Sequence, residues 1–334
     1  MSNTLCSIII PYYNVPEELV NKCLTSIINQ NWGETLFEVI FINDGSIIPI
    51  SETTKQLFAK ISHFTLIEQK NQGPGVARNQ GIKYAKGKYI FFIDPDDYWI
   101  DHQLTKLLPY LKQNKYDIIQ FSTLNFNPIK YRGLFEINIG YKYMANNTLI
   151  KGVCTYCYKN SFLKKNKIYM PAIRNSEDDI FLYYVFYYAK QCLFTNIDLY
   201  YYLQTRPNSL TKQFNQSDWN NRIQYTIQGL NELVIFKNNQ RNTTKIQNKA
   251  LNRALYTIVM DLIYHIINSP LTTQNKQEHF KQLYNLSLLP FPNISHSIKY
   301  HLFRICSHNF NALNILCKSI SKVLYLRKKI SSSH

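Results

Sequence analysis

The stretch that most constrains this chain is Tyr89-Ile90-Phe91-Phe92-Ile93-Asp94-Pro95-Asp96-Asp97, an apolar run of strand length that ends in three carboxylates within four positions. Gly87 before it and Pro95 inside the acidic cluster bound the run, as expected of a buried strand. In an open α/β sheet, ligands bind beyond the carboxyl ends of the strands. An Asp-X-Asp at such an end suits a hard divalent cation, which takes oxygen ligands and is commonly shared with substrate phosphates. The same residues also fit a plain acidic loop, or Asp97 capping a helix that begins near Tyr98. The rest of the chain has to decide.

Upstream, strand and helix patterns alternate. Ser7 to Pro11 is a β-branched strand, and a helix fits Pro16 to Gln30 with Leu19, Cys23 and Ile27 on one face. Phe37 to Ile42 is a second strand, closed by the polar turn Asn43-Asp44-Gly45-Ser46. A helix over about 52–61, a strand at Phe64 to Glu68 and a helix from Pro74 through Ala85 follow. This alternation predicts parallel pairing and an α/β fold. Gly73-Pro74-Gly75 does not open a dinucleotide fingerprint, because position 78 is Arg and no strand runs directly into it. From Asn215 onward the pattern turns helical, with segments at Trp219–Phe236, Lys245–Ile267 and Lys299–Lys329. The expected organisation is therefore 1–100 and 101–214 as two halves of one sheet-based domain, then a helical, basic region at 215–334.

Charge is distributed unevenly. Residues 1–100 carry 8 Lys+Arg against 10 Asp+Glu, while the remainder carries 30 against 11, within a total of +17. Such asymmetry points to an anionic partner for the later part, a membrane surface or nucleic acid. Interleaved Tyr and Lys could stack bases, yet no helix-turn-helix, zinc or RNA-binding signature is present, so no nucleic-acid partner is expected. A metal-dependent nucleotidyltransferase is the other alternative, and it lacks a Gly-rich, Lys-containing loop after the first strand. In the last segment Phe303, Cys306, Phe310, Leu313, Cys317, Ile320 and Leu324 recur at spacings of three and four. A basic amphipathic helix of this kind either lies on an anionic membrane surface or packs its stripe on the protein's own core. The excess positive charge favours the membrane.

No apolar run reaches the roughly 18 residues needed to span a bilayer, and the N-terminus lacks a signal-peptide pattern. Seven irregularly spaced cysteines fit a reducing compartment. The expectation is a cytoplasmic protein, peripheral on the inner face of the cell membrane. Cys154-Thr155-Tyr156-Cys157 has no second pair at metal-binding spacing and reads as structural.

Four motifs occur in a fixed order: Ile10-Pro11-Tyr12-Tyr13-Asn14, Asn43-Asp44-Gly45-Ser46, Gly75-Val76-Ala77-Arg78-Asn79 and Asp94-Pro95-Asp96-Asp97. As an ordered set they resemble the family 2 glycosyltransferases, inverting enzymes of the GT-A fold that use nucleotide-sugar donors. The resemblance is close over 5–100 and looser over 101–212. It implies an α/β, GT-A-like nucleotide-binding fold with a central, mostly parallel sheet flanked by helices, here followed by the helical C-terminal region. It implies transfer of a sugar from a UDP-sugar to a hydroxyl of a lipid-linked or cell-surface glycan precursor. By the same resemblance Asp96 would hold Mn²⁺ or Mg²⁺, Asp94 would lie near the donor ribose and Asp44 would accept from the base N3–H. Pro11, Tyr13 and Asn14 would line the base pocket. Arg78 would bind phosphate or position the acidic cluster by ion pairing, and the sequence leaves both open. Asn43 stands where many members have a first Asp.

Asn175-Ser176-Glu177-Asp178-Asp179-Ile180-Phe181 resembles the family's Glu-Asp-x-x-Phe segment, which makes Asp178 the catalytic base. The alternative is helix-start chemistry, with Ser176 and Asp179 as a loose capping box. Arg206, in the turn after Tyr200-Tyr201-Tyr202, would reach a diphosphate or simply be solvated.

Overall fold

The sheet is built from strands whose sequence leaves them no exposed face. β1 (Cys6–Tyr12), β2 (Phe37–Asn43) and β4 (Tyr89–Phe92) are near-continuous apolar runs, and almost every residue in them is buried. Such runs suit a sheet covered on both sides. β3 (Phe64–Glu68) is half-buried to exposed along its length and forms one edge. These four strands pair in parallel in the order β3-β2-β1-β4. The structure, a computed structural model, describes residues 4–30, 36–124, 135–203, 216–294 and 297–331.

The same sheet continues past β4 through β8 (Tyr156–Lys159), β6 (Ile118–Thr123) and β9 (Gln191–Tyr201) to β5 (Tyr98–Trp99), and β7 (Phe135–Asn138) also pairs with β9. β8 runs antiparallel to both neighbours, and β9 runs parallel to β6. The sheet is thus mixed, parallel in its first half. Helices α1 (Glu17–Ile28), α2 (Glu52–Ala59), α3 (Pro74–Tyr84), α4 (Leu108–Gln113), α5 (Gly140–Met144), α6 (Asn160–Lys165) and α7 (Glu177–Tyr188) accompany it. Tyr98 begins the short strand β5, which pairs antiparallel with β9, so no helix starts there and Asp97 caps none.

Two compact units divide the chain, 1–207 and 208–334. The second is helical: α8 (Gln216–Asn239), α9 (Lys245–Asn268), α10 (Thr273–Asn285), α11 (Ile298–Cys306) and α12 (Phe310–Ser331). Thr244 and Gln247 close a full capping box at the start of α9. Most of α9 from Ala250 to Ile267 is buried on more than one face. It is the helix against which α8, α10, α11 and α12 all pack.

The segment expected as one helix from Lys299 to Lys329 is broken at Ser307–Asn309 into α11 and α12. Phe303, Leu313 and Cys317 of its apolar stripe are fully buried within this unit. These three positions face the unit's own core, one of the two placements the spacing left open. No helix among the described residues is long and apolar enough to cross a membrane.

Candidate functional site

The carboxyl ends of β1, β2 and β4 lie side by side in the sheet, and the motif residues gather there. Beyond β1, the Asn14 amide N–H donates to Ser46 Oγ at 3.0 Å, and Asn14 Oδ1 accepts from the Ile47 amide at 3.0 Å. Asn14 holds positive φ, a conformation Asn tolerates better than most residues. Asn43 Oδ1 accepts from the Ser46 amide at 2.9 Å, which closes the turn after β2. Tyr13 stands half-exposed next to this loop, while Pro11 is buried within β1.

Asp44 is only 3% exposed. Its carboxylate accepts from Gln69 Nε2 at 2.7 Å, from the Gln72 amide at 2.9 Å and from the Gly73 amide at 2.8 Å. The side chain thus ties the β2 turn to the loop leading into α3. Gly45 is required beside it: φ is +73°, and a Cβ would sit 2.7 Å from the Asn71 amide nitrogen.

After β4 the three carboxylates separate by environment. Asp94 and Asp96 remain part-exposed, whereas Asp97 is buried. Asp94 Oδ1 accepts from Arg78 at 2.7 Å. Asp97 accepts from the Tyr200 hydroxyl and, at 2.8 Å, from the Leu203 amide, which fixes the end of β9 against the acidic turn. Burial, reinforced by the charge of Asp94, pushes the Asp97 carboxyl up to about 8 despite those two bonds. The carboxylates supply hard oxygen ligands of the kind Mg²⁺ and Mn²⁺ prefer. Among the described residues, however, no group of three or more His, Cys, Asp or Glu forms a metal cage. A Mg²⁺-type ion commonly takes one or two carboxylates and completes its shell from phosphates and water, so Asp96 fits such an ion only together with a bound diphosphate.

Arg78 is held in ion pairs. It projects from α3, is buried, and reaches Asp94 with one amino group and Glu177 Oε1 with the other, at 3.4 Å. Glu177 opens α7, and burial, with the neighbouring Asp178 charge, pushes its carboxyl up to about 7 against the pull of Arg78. The guanidinium therefore joins the acidic turn after β4 to the start of the helix that carries Asp178. Gly75 permits this approach, since a Cβ there would meet Glu177 Cγ at 2.9 Å.

At the start of α7, Ser176 has positive φ and its side chain makes no capping hydrogen bond, so the capping box of the alternative reading does not form. Asp178, part-exposed, accepts from the Asp179 amide at 2.8 Å. Asp179 instead pairs with Lys151 Nζ at 3.3 Å. Arg206 lies outside the described residues. Cys154 and Cys157 are buried free thiols. The role of Glu177 is not evident from the segment's sequence; a Glu at a helix start just before a candidate base is the available signal. The Asp97–Tyr200 bond joins residues 103 positions apart, and nothing local announces it.

Residues 7–169 match the profile described as glycosyl transferase family 2. Over 205 residues the chain is 32% identical to a poly(ribitol-phosphate) beta-glucosyltransferase of Bacillus spizizenii, a match covering 60% of this chain and 32% of that protein. It is 31% identical over 223 residues to EpsJ of Bacillus subtilis, an uncharacterized glycosyltransferase, covering 62% of this chain and 63% of that one. The match therefore spans between about a third and just under two thirds of these relatives. Among solved structures, residues 1–349 of Staphylococcus aureus TarS in complex with UDP-GlcNAc superpose with a TM-score of 0.69 at 18% identity, covering 96% of this chain and 92% of that one. A mannosyltransferase of Pyrobaculum calidifontis, in complex with GDP-Man and Mn²⁺, follows at 0.52 and 14% identity, covering 93% of this chain and 86% of that one. The fold is GT-A-like with a helical C-terminal region.

Proposed function

From the match of residues 7–169 to the profile of glycosyl transferase family 2, we propose that the protein is an inverting glycosyltransferase that moves a sugar from a UDP-sugar to a hydroxyl of a glycan polymer precursor. The observation that carries this reading is the Asp94–Arg78–Glu177 bridge. It couples the acidic turn of a nucleotide-sugar site to the helix bearing a candidate base. Further support comes from the TarS neighbour, which binds UDP-GlcNAc. The acceptor class follows from two relatives that act on poly(ribitol-phosphate).

In this mechanism Asp178 takes the proton of the acceptor hydroxyl. The acceptor oxygen then forms its bond to the anomeric carbon from the face opposite the leaving group. The anomeric C–O bond breaks, and its electron pair departs with the nucleoside diphosphate. A general base of this kind contributes about 10²–10⁴-fold. Asp179, held by Lys151, is the weaker candidate for that role. Asp96 would hold Mn²⁺ or Mg²⁺, which supplies Lewis-acid neutralisation of the diphosphate when bound. Asp94, aligned by Arg78, would face the donor ribose. Asp44, with its loop bonds, would set the shape of the base pocket beside Pro11, Tyr13 and Asn14. Arg206 would meet the diphosphate.

The test is a screen of UDP-, GDP- and dTDP-sugars for nucleotide release with a poly(ribitol-phosphate) acceptor, with and without Mn²⁺. Release from a UDP-sugar that rises with acceptor supports the reading. Equal inertness toward all donors, with a purified and folded protein, contradicts it.

A further inference from the structure

The helical unit presents an apolar face that the buried stripe does not explain. On α11, Ile298, Leu302 and Ile305 recur at i, i+4 and i+7, opposite the buried Tyr300 and Phe303. Ile298 is 82% exposed and Ile305 is 72% exposed. On α12, Ile315 is 69% exposed, opposite the buried Leu313 and Cys317, and Val323 is half-exposed. Both helices pack on α9 and on each other, so these outer residues turn away from α9. Lys318 and Lys322 are exposed on the same arc of α12 as Ile315. Lys276 of α10 lies close enough to Lys318 to feel its charge. Lys299, by contrast, is paired with Asp261 at 3.3 Å and adds little free charge.

Exposed large aliphatic residues on two touching helices, interleaved with lysines that have no ion pair among the described residues, match a surface that is apolar at depth and anionic at its rim. A soluble polyanion would be held by the lysines alone and would gain nothing from Ile298 or Ile305. We propose that the outer face of α11 and α12 docks on an anionic lipid bilayer, with the isoleucines entering the headgroup region and Lys318 and Lys322 meeting lipid phosphates. This surface is distinct from the Phe303–Cys317 stripe, and it stands whether or not the sugar-transfer reading holds.

The experiment is co-sedimentation of the full chain with vesicles of phosphatidylglycerol and phosphatidylcholine at 1:1, and with pure phosphatidylcholine. The wild type should pellet with the anionic vesicles, stay in solution with the neutral ones, and be released by high salt. Ile298→Ser combined with Ile305→Ser should weaken binding by about tenfold or more, which is about 1.4 kcal/mol, at unchanged circular dichroism and melting temperature. Lys318→Glu with Lys322→Glu should do the same. Because all four side chains are exposed, neither pair threatens the fold. Failure of the wild type to bind anionic vesicles overturns the proposal. So does wild-type binding by the isoleucine variant, which would indicate a surface that reads charge alone. A concentration-dependent dimer that the isoleucine variant abolishes also overturns it, by assigning the face to a second copy. Nucleotide release measured without vesicles reports separately on sugar transfer.

Discussion

Asp97 is the residue whose environment departs furthest from its ordinary chemistry within the acidic turn. Its carboxyl is pushed up to about 8 by burial and then by Asp94. The folded protein therefore holds a proton on Asp97 from about pH 4 to about pH 8, where the unfolded chain does not. Stability contributed by this group falls as pH rises through that window, with a slope of at most about 1.4 kcal/mol per pH unit. Asn is the neutral isostere of the protonated acid: its oxygen accepts from the Leu203 amide, and its amide group donates to Tyr200 once that hydroxyl turns from the donor role it has toward the carboxylate. In EDTA-containing buffer, Asp97→Asn should thus melt closer to wild type at pH 5 and above it at pH 8. Parallel melting curves across that range would contradict the assignment. Two residues in α7 separate by partner in the same way. Asp178→Asn should lower turnover by about 10²–10⁴-fold with donor affinity retained, while Asp179→Asn, which loses the Lys151 ion pair, should keep most activity. The reverse ranking in a steady-state assay would move the base to Asp179.

Arg78 is where elements meet, because one guanidinium links α3, the turn after β4 and the start of α7. Lys offers a point charge in place of a planar fork and cannot hold Asp94 and Glu177 in the same geometry. Arg78→Lys should lower turnover by about 10²-fold, the scale of a small misplacement of reacting groups. Arg78→Met leaves two carboxylates unpaired and should cost about 3–5 kcal/mol in denaturant unfolding. An Arg78→Met protein as stable as wild type would remove the bridge from the argument. The elements themselves were largely legible. β1, β2 and β4 are continuous apolar runs, and α9 carries its apolar positions and cap in the local pattern. Less was legible where the cause is distant. The short strand β5 exists because β9, a hundred residues later, pairs with Tyr98 and Trp99. The loose capping box failed because Ser176 takes a left-handed backbone. The final helix broke at Ser307–Asn309, where spacing alone ran on. Which face of it stays in solvent depended on α9, not on its own periodicity.

For the whole molecule, the family match covers 7–169 and the fold match nearly the full chain, so the sheet-based unit and the helical unit carry separate expectations. Removing divalent cations should abolish sugar transfer if Asp96 holds the ion, and Asp96→Ala should do so with Mn²⁺ present; full activity in EDTA would exclude the metal. The claim that organises the rest is an inverting displacement at the anomeric carbon with Asp178 as base. It is tested most directly by following, in real time by proton NMR, the sugar released from α-linked UDP-N-acetylglucosamine when water is the acceptor. The displacement predicts that the β anomer is formed first and then mutarotates, and that Asp178→Asn suppresses it. First formation of the α anomer would contradict it.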